Sequence, residues 1–164
     1  MIPLSTTLVH GLLLCIPFTI FALVSFWGWP RIWLHSLPPD IGALAGSKTP
    51  AEEKMTMALL VIYLLILPGL SIVSALVASQ GIELTFIGAL IHIYGVWIIV
   101  HVWDFAVIDL AHVLLINPAR PPIKGTEGAK GWRDLSFHFR SLLKAVLMSA
   151  IFVVPAAALL ALLA

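Results

Sequence analysis

Formal charge is absent from this chain over long distances: no Asp, Glu, Lys or Arg occurs from Leu8 to Trp29, from Met55 to Ile82, from Leu84 to Trp103 or from Ala145 to Ala164. About 20 apolar residues wound as a helix cross a hydrocarbon layer roughly 30 Å thick, where only internally hydrogen-bonded segments persist. Hydrophobic residues make up 61% of the 164 and charged ones 10%, with a mean hydropathy of +1.08. Ordinary globular usage is roughly 45–50% apolar and about 25% charged, so the surplus must face lipid. The expected fold is all-α: a polytopic membrane protein whose single domain is a four-transmembrane-helix bundle over residues 1–164, with helices near 6–29, 50–78, 83–116 and 135–163. Glu83 to Ile116 as one helix would be about 50 Å long, so the third helix must protrude or tilt.

The rest of the composition excludes several classes. A net charge of +1 leaves no broad basic face for nucleic acid. Cys15 stands alone, which removes disulfide and thiolate-metal frameworks. No Lys or Arg precedes Arg31, so the first apolar run lacks the basic start of a cleaved signal and is expected to be a retained span.

Punctuation falls where the apolar runs stop. Pro38, Pro39, Gly42 and Gly46 predict a connector on the membrane surface, and Pro121, Pro122, Gly125, Gly128 and Gly131 predict another. Both are too short for a core of their own. Thr49, Pro50 and Glu52 form a capping-box start for the second helix, and Asp134 caps the fourth. Pro68 and Gly69 predict a kink inside the second helix.

All nine basic residues lie in or beside the connectors 30–49 and 117–134. The positive-inside rule then places both connectors in the cytoplasm and both termini on the other side, as in a bacterial inner membrane. Trp27, Trp29 and Trp33 mark the exit of the first span, and Trp103 the exit of the third.

Chemistry concentrates in His101-Val-Trp-Asp104-Phe-Ala-Val-Ile-Asp109-Leu-Ala-His112. At about 100° per residue, with His101 at zero, Asp104 falls near −60°, His112 near +20° and Asp109 near +80°, all on one side of the helix. These four residues are the candidate catalytic groups. Three roles compete for them. Carboxylates at the inner interface pair with Arg120, Arg133 or Arg140 and fix the second connector. Alternatively, a divalent metal is held by His101, Asp104, Asp109 and His112. Its two residue pairs lie roughly 12 Å apart along the axis, so it needs a partner such as His138, His35 or Glu53. A third role is a proton path, continued through Tyr63, Ser71 or Ser74. An enzyme needs these side chains to converge on an open cytoplasmic cavity opposite His138 or Glu53, whereas a structural role needs Arg pairs filling that space.

Other features carry less. His10 and His92 suggest axial haem ligands, although hydrogen-bonded packing is the commoner role of a membrane histidine and a divalent metal is preferred to haem as cofactor. The stretch Pro121–Gly131 has glycines and lysines but not the spacing of a phosphate loop. Arg120, Lys124, Arg133, Arg140 and Lys144 are the candidate anion or headgroup contacts, since cations beside an aromatic helix start dock on anionic lipid.

The leading expectation is a structural or accessory subunit, or a homo-oligomer, in contact with membrane lipids and other membrane subunits. Gly11, Gly69, Gly88, Gly95 and the alanines from Ala156 to Ala161 permit close helix approach. The alternative is a membrane-embedded enzyme, metal-dependent or acting on lipid headgroups, and the third is a proton or ion transporter or channel.

Overall fold

In the computed structural model, which describes residues 1–163, the chain is all-helical. Its helices are α1 (Leu4–Gly28), a short α2 (Pro39–Ala45), α3 (Pro50–Ala78), α4 (Phe86–Trp103), α5 (Leu110–Leu115) and α6 (Leu135–Leu163). A π-helical segment, Asp104–Asp109, joins α4 to α5, so that Phe86–Leu115 is one long rod. That rod, α1, α3 and α6 are each long and apolar enough to cross a membrane.

Local chemistry fixes the starts. The Thr49 hydroxyl accepts from the Glu52 amide at 3.2 Å and the Glu52 carboxylate accepts from the Thr49 amide at 2.7 Å, closing the expected capping box. Asp134 accepts from the Phe137 amide at 2.9 Å and from the Ser136 hydroxyl at 2.7 Å, which holds its carboxyl below the usual carboxylate range. The third rod starts at Phe86 rather than near residue 83, because Thr85 accepts from the Gly88 amide and serves as the cap. Pro68 lies within α3, which is helical throughout Pro50–Ala78.

Helix α4 is central and packs chiefly against α1 and α6, with α3 in lesser contact. Two glycines set the α1–α4 approach. A Cβ on Gly11 would stand 2.6 Å from the Ile99 Cδ1, and one on Gly95 would stand 2.8 Å from the Thr7 Cγ2. Among the described residues, none from another part of the chain lies within 4 Å of where a Cβ on Gly69 would stand. Ile93, Val96, Trp97 and Val100 of α4 are buried together with Leu67, Ala75, Val153 and Ala157. The outer faces expose residues such as Leu13, Ile20, Leu65, Val73, Leu147 and Ile151.

The connectors differ from the expected open loops. The first folds into a 3₁₀ turn, Pro30–Ser36, followed by α2, and the second ends in a 3₁₀ turn, Lys130–Arg133. Ile41, Ile116, Ile123, Ala129 and Trp132 then bury one another beside Phe26, so the two connectors share a small core that neither has alone. Each such isoleucine contributes at most about 1.5–3 kcal/mol. The Asp40 carboxylate accepts from the Gly131 amide at 2.8 Å, and a Cβ at Gly131 would overlap that carboxylate and stand 2.6 Å from the Pro38 Cβ.

Two of the nine basic residues help to hold this layer. Arg31 donates to Glu52 and to the carbonyls of Ala45 and Ser47. Lys48 donates to the Ile32 carbonyl and the Thr56 hydroxyl, and burial draws its ammonium below the ordinary lysine range.

Candidate functional site

The π-helical segment puts the informative residues in place. The Leu110 amide bonds to the Phe105 carbonyl, five residues back, and such wide turns recur at functional sites because they rotate the following side chains. The arithmetic of a straight α-helix therefore does not hold between Asp104 and His112. All four still line one cavity of about 320 Å³, together with His138 of α6.

This cavity lies at the connector end. Phe18, Phe21 and Phe26 of α1 form one wall and Leu59, Leu60 and Tyr63 of α3 another, while Trp33 and His35 of the first connector close over it. His138 Nδ1 and Asp109 Oδ1 are 3.0 Å apart, and the His138 ring is buried. The ring of Phe26 lies against His112 with centroids 4.3 Å apart. His35 Nδ1 bonds to the Ile32 carbonyl, and burial, then the nearby Lys48 charge, draws this imidazole below its ordinary pKa.

The expected arginine partners are elsewhere. Among the described residues no Lys or Arg lines the cavity. Among the described residues the ionic contacts are Arg31–Glu52 and the Asp109–His138 pair. Arg133 instead donates to the carbonyls of Val113 and Leu114, satisfying the end of α5 that lacks helical partners. Like Arg133, the other candidate anion contacts Arg120, Lys124, Arg140 and Lys144 lie outside the cavity wall.

As for a metal, among the described residues no three His, Cys, Asp or Glu side chains gather closely enough to hold an ion. Asp109 and His138 are adjacent and His35 lines the same cavity, whereas Glu53 does not.

A second polar group lies farther along the helices, toward the termini. His92 Nδ1 meets the Thr7 hydroxyl at 2.9 Å and His92 Nε2 meets the Ser74 hydroxyl at 2.8 Å, while Ser74 also meets His10 Nδ1 at 2.8 Å. Both nitrogens of His92 are thus engaged, which leaves none for iron and makes this a hydrogen-bonded tie between α1, α3 and α4. Ser71 accepts from the Trp97 indole at 2.9 Å and donates to the Leu67 carbonyl, so it too is occupied. Trp103, expected at the boundary, donates at 2.9 Å to Thr19 of α1 and joins two helices.

The sequence offered no sign of Trp33 as a cavity wall. A tryptophan beside a span exit signals the interface, and only the folding of the first connector carries this one inward. Compared with protein-family models, with curated proteins and with solved structures, the chain matches none.

Proposed function

We propose that this chain is a membrane-embedded protein, its connector end in the cytoplasm, that binds an amphipathic molecule in the cavity and performs proton-transfer chemistry on its polar head. One observation carries the reading: His101, Asp104, Asp109, His112 and His138 converge on a single, mainly apolar cavity that no cation fills. Lipid-like ligands enter such a cavity tail and head together, since apolar walls with a few convergent polar groups are the usual form of a small-molecule site.

The Asp109–His138 pair is the oriented base. Asp109 stands 3.0 Å from His138 Nδ1, where an ionised carboxylate favours a proton on that nitrogen and leaves Nε2 to take one from a substrate hydroxyl or from water. Asp104, which has no cationic partner among the described residues, is the second proton carrier. Arg120, Lys124, Arg140 and Lys144, outside the cavity, contact anionic headgroups of the surrounding leaflet. The exposed apolar faces of α1, α3 and α6 suit acyl chains as well as they suit a subunit, so they single out no protein partner.

The test is conversion of lipid by purified protein in vesicles of total polar lipid extract, followed by mass spectrometry. The expected result is a change in lipid composition that slows about 10²–10⁴-fold in Asp109→Asn and His138→Gln while circular dichroism is unchanged. No conversion by the wild type, or equal conversion by both variants, overturns the reading.

A further inference from the structure

Three buried side-chain polar atoms in the described structure have no hydrogen-bond partner: Trp33 Nε1, His101 Nε2 and His112 Nε2. All three residues line the one cavity. Leaving a buried donor or acceptor unpaired costs about 1–3 kcal/mol, and proteins retain such groups where a ligand or catalysis uses them. The contrast with the rest of the interior is sharp, because His92, Ser71, Ser74 and Thr7 are all bonded. His101 is itself only 8% exposed, so bulk water is not its ordinary partner.

The chemistry of these walls selects a ligand class. The indole N–H of Trp33 is a donor only, so the head must carry an acceptor. Asp104 and Asp109 accept when ionised, so the head must also carry a donor. The wall holds no Lys or Arg, so a phosphate or sulfate would meet two carboxylates with only imidazoles to offset them. An ammonium head would suit the carboxylates but leave the Trp33 donor unanswered. Hydroxyl groups both donate and accept, and an ester carbonyl accepts. A glycerol ester offers both donors and acceptors without adding charge.

Size limits the tail. A cavity of about 320 Å³ lies at the low end of the roughly 300–1,000 Å³ usual for small-molecule sites. That accommodates a glycerol head and a short length of chain, not two whole acyl chains.

Resting on the proposed cavity function, we infer that the ligand is an uncharged, hydroxyl- and ester-bearing lipid of the monoacylglycerol class, held by Trp33, His101 and His112. The experiment measures saturable binding of monooctanoylglycerol and of its phosphate monoester to detergent-purified, delipidated protein. The glycerol ester is expected to bind at least tenfold more tightly than the phosphate ester. Trp33→Phe is expected to weaken it about tenfold, since the ring remains and only the donor leaves, and Trp29→Phe, which lies off the cavity wall, should change nothing. Tighter binding of the phosphate ester, or no effect of Trp33→Phe, overturns the ligand class and leaves the cavity function standing. Saturable binding of neither compound overturns both.

Discussion

Nine residues apart on the same rod, His92 and His101 are both buried imidazoles, and their surroundings are opposite. His92 has a hydroxyl on each nitrogen, whereas His101 keeps an unpartnered Nε2 on the wall of a cavity shared with two carboxylates and three more imidazoles. The same residue type serves in one place to join helices and in the other to wait for a partner. Burial alone does not distinguish these roles, but hydrogen-bond satisfaction does.

The strongest attack on the closed cluster is Gly95→Val, which forces a side chain onto Thr7 where a Cβ alone would stand 2.8 Å from the Thr7 Cγ2. Overpacking of this kind costs about 1–3 kcal/mol, at the upper end here because two backbones approach, and thermal unfolding in detergent should show it. Next, His92→Leu strips Thr7 of its inter-helix partner and leaves Ser74 with His10 alone, and it is expected to cost about 1–2 kcal/mol. The matching change at the open cluster, His101→Leu, should cost less than about 0.5 kcal/mol or stabilise, because no existing bond is lost. Equal losses in the two variants would erase the distinction between the clusters. Gly131→Ala tests the layer that closes the cavity: its methyl displaces Asp40 and Pro38, and about 1 kcal/mol of stability and faster proteolysis of the connectors are expected.

The smallest effect is with pH. The folded chain holds the His35 pKa below its ordinary value, so protonation favours the unfolded state. The contribution is complete above the ordinary imidazole pKa and is lost as pH falls through it toward the depressed folded value. A melting midpoint that drops between pH 7.5 and 5 in the wild type should drop less in His35→Gln.

The four long helices were legible because a lipid-facing helix needs an uninterrupted apolar run, and Thr49 and Asp134 announced their caps through spacing alone. That His101, Asp104, Asp109 and His112 lie within one short segment was legible too, although the straight-helix projection that put them on one side does not hold through the π-helical turn. The π-helical turn was not, because Asp104–Asp109 holds no Gly or Pro to mark a break in the rod. Nor was the joint core of the connectors: Ile41 and Ile123 lie far apart in sequence within Pro- and Gly-rich segments, and they are buried together in a layer that the Asp40–Gly131 hydrogen bond also ties. The arginines were misread for a related reason. Positive charge near carboxylates suggests ion pairs, but Arg133 finds the free carbonyls at the end of α5 first.

Native mass spectrometry of protein released from membranes without added lipid tests most directly whether the unpaired cluster is a ligand site. Wild type is expected to carry one uncharged amphipathic molecule per chain, and Ala145→Phe, which projects a ring into the cavity from α6, is expected to carry none. A wild type free of any bound molecule, or a variant that retains it undiminished, would contradict the account.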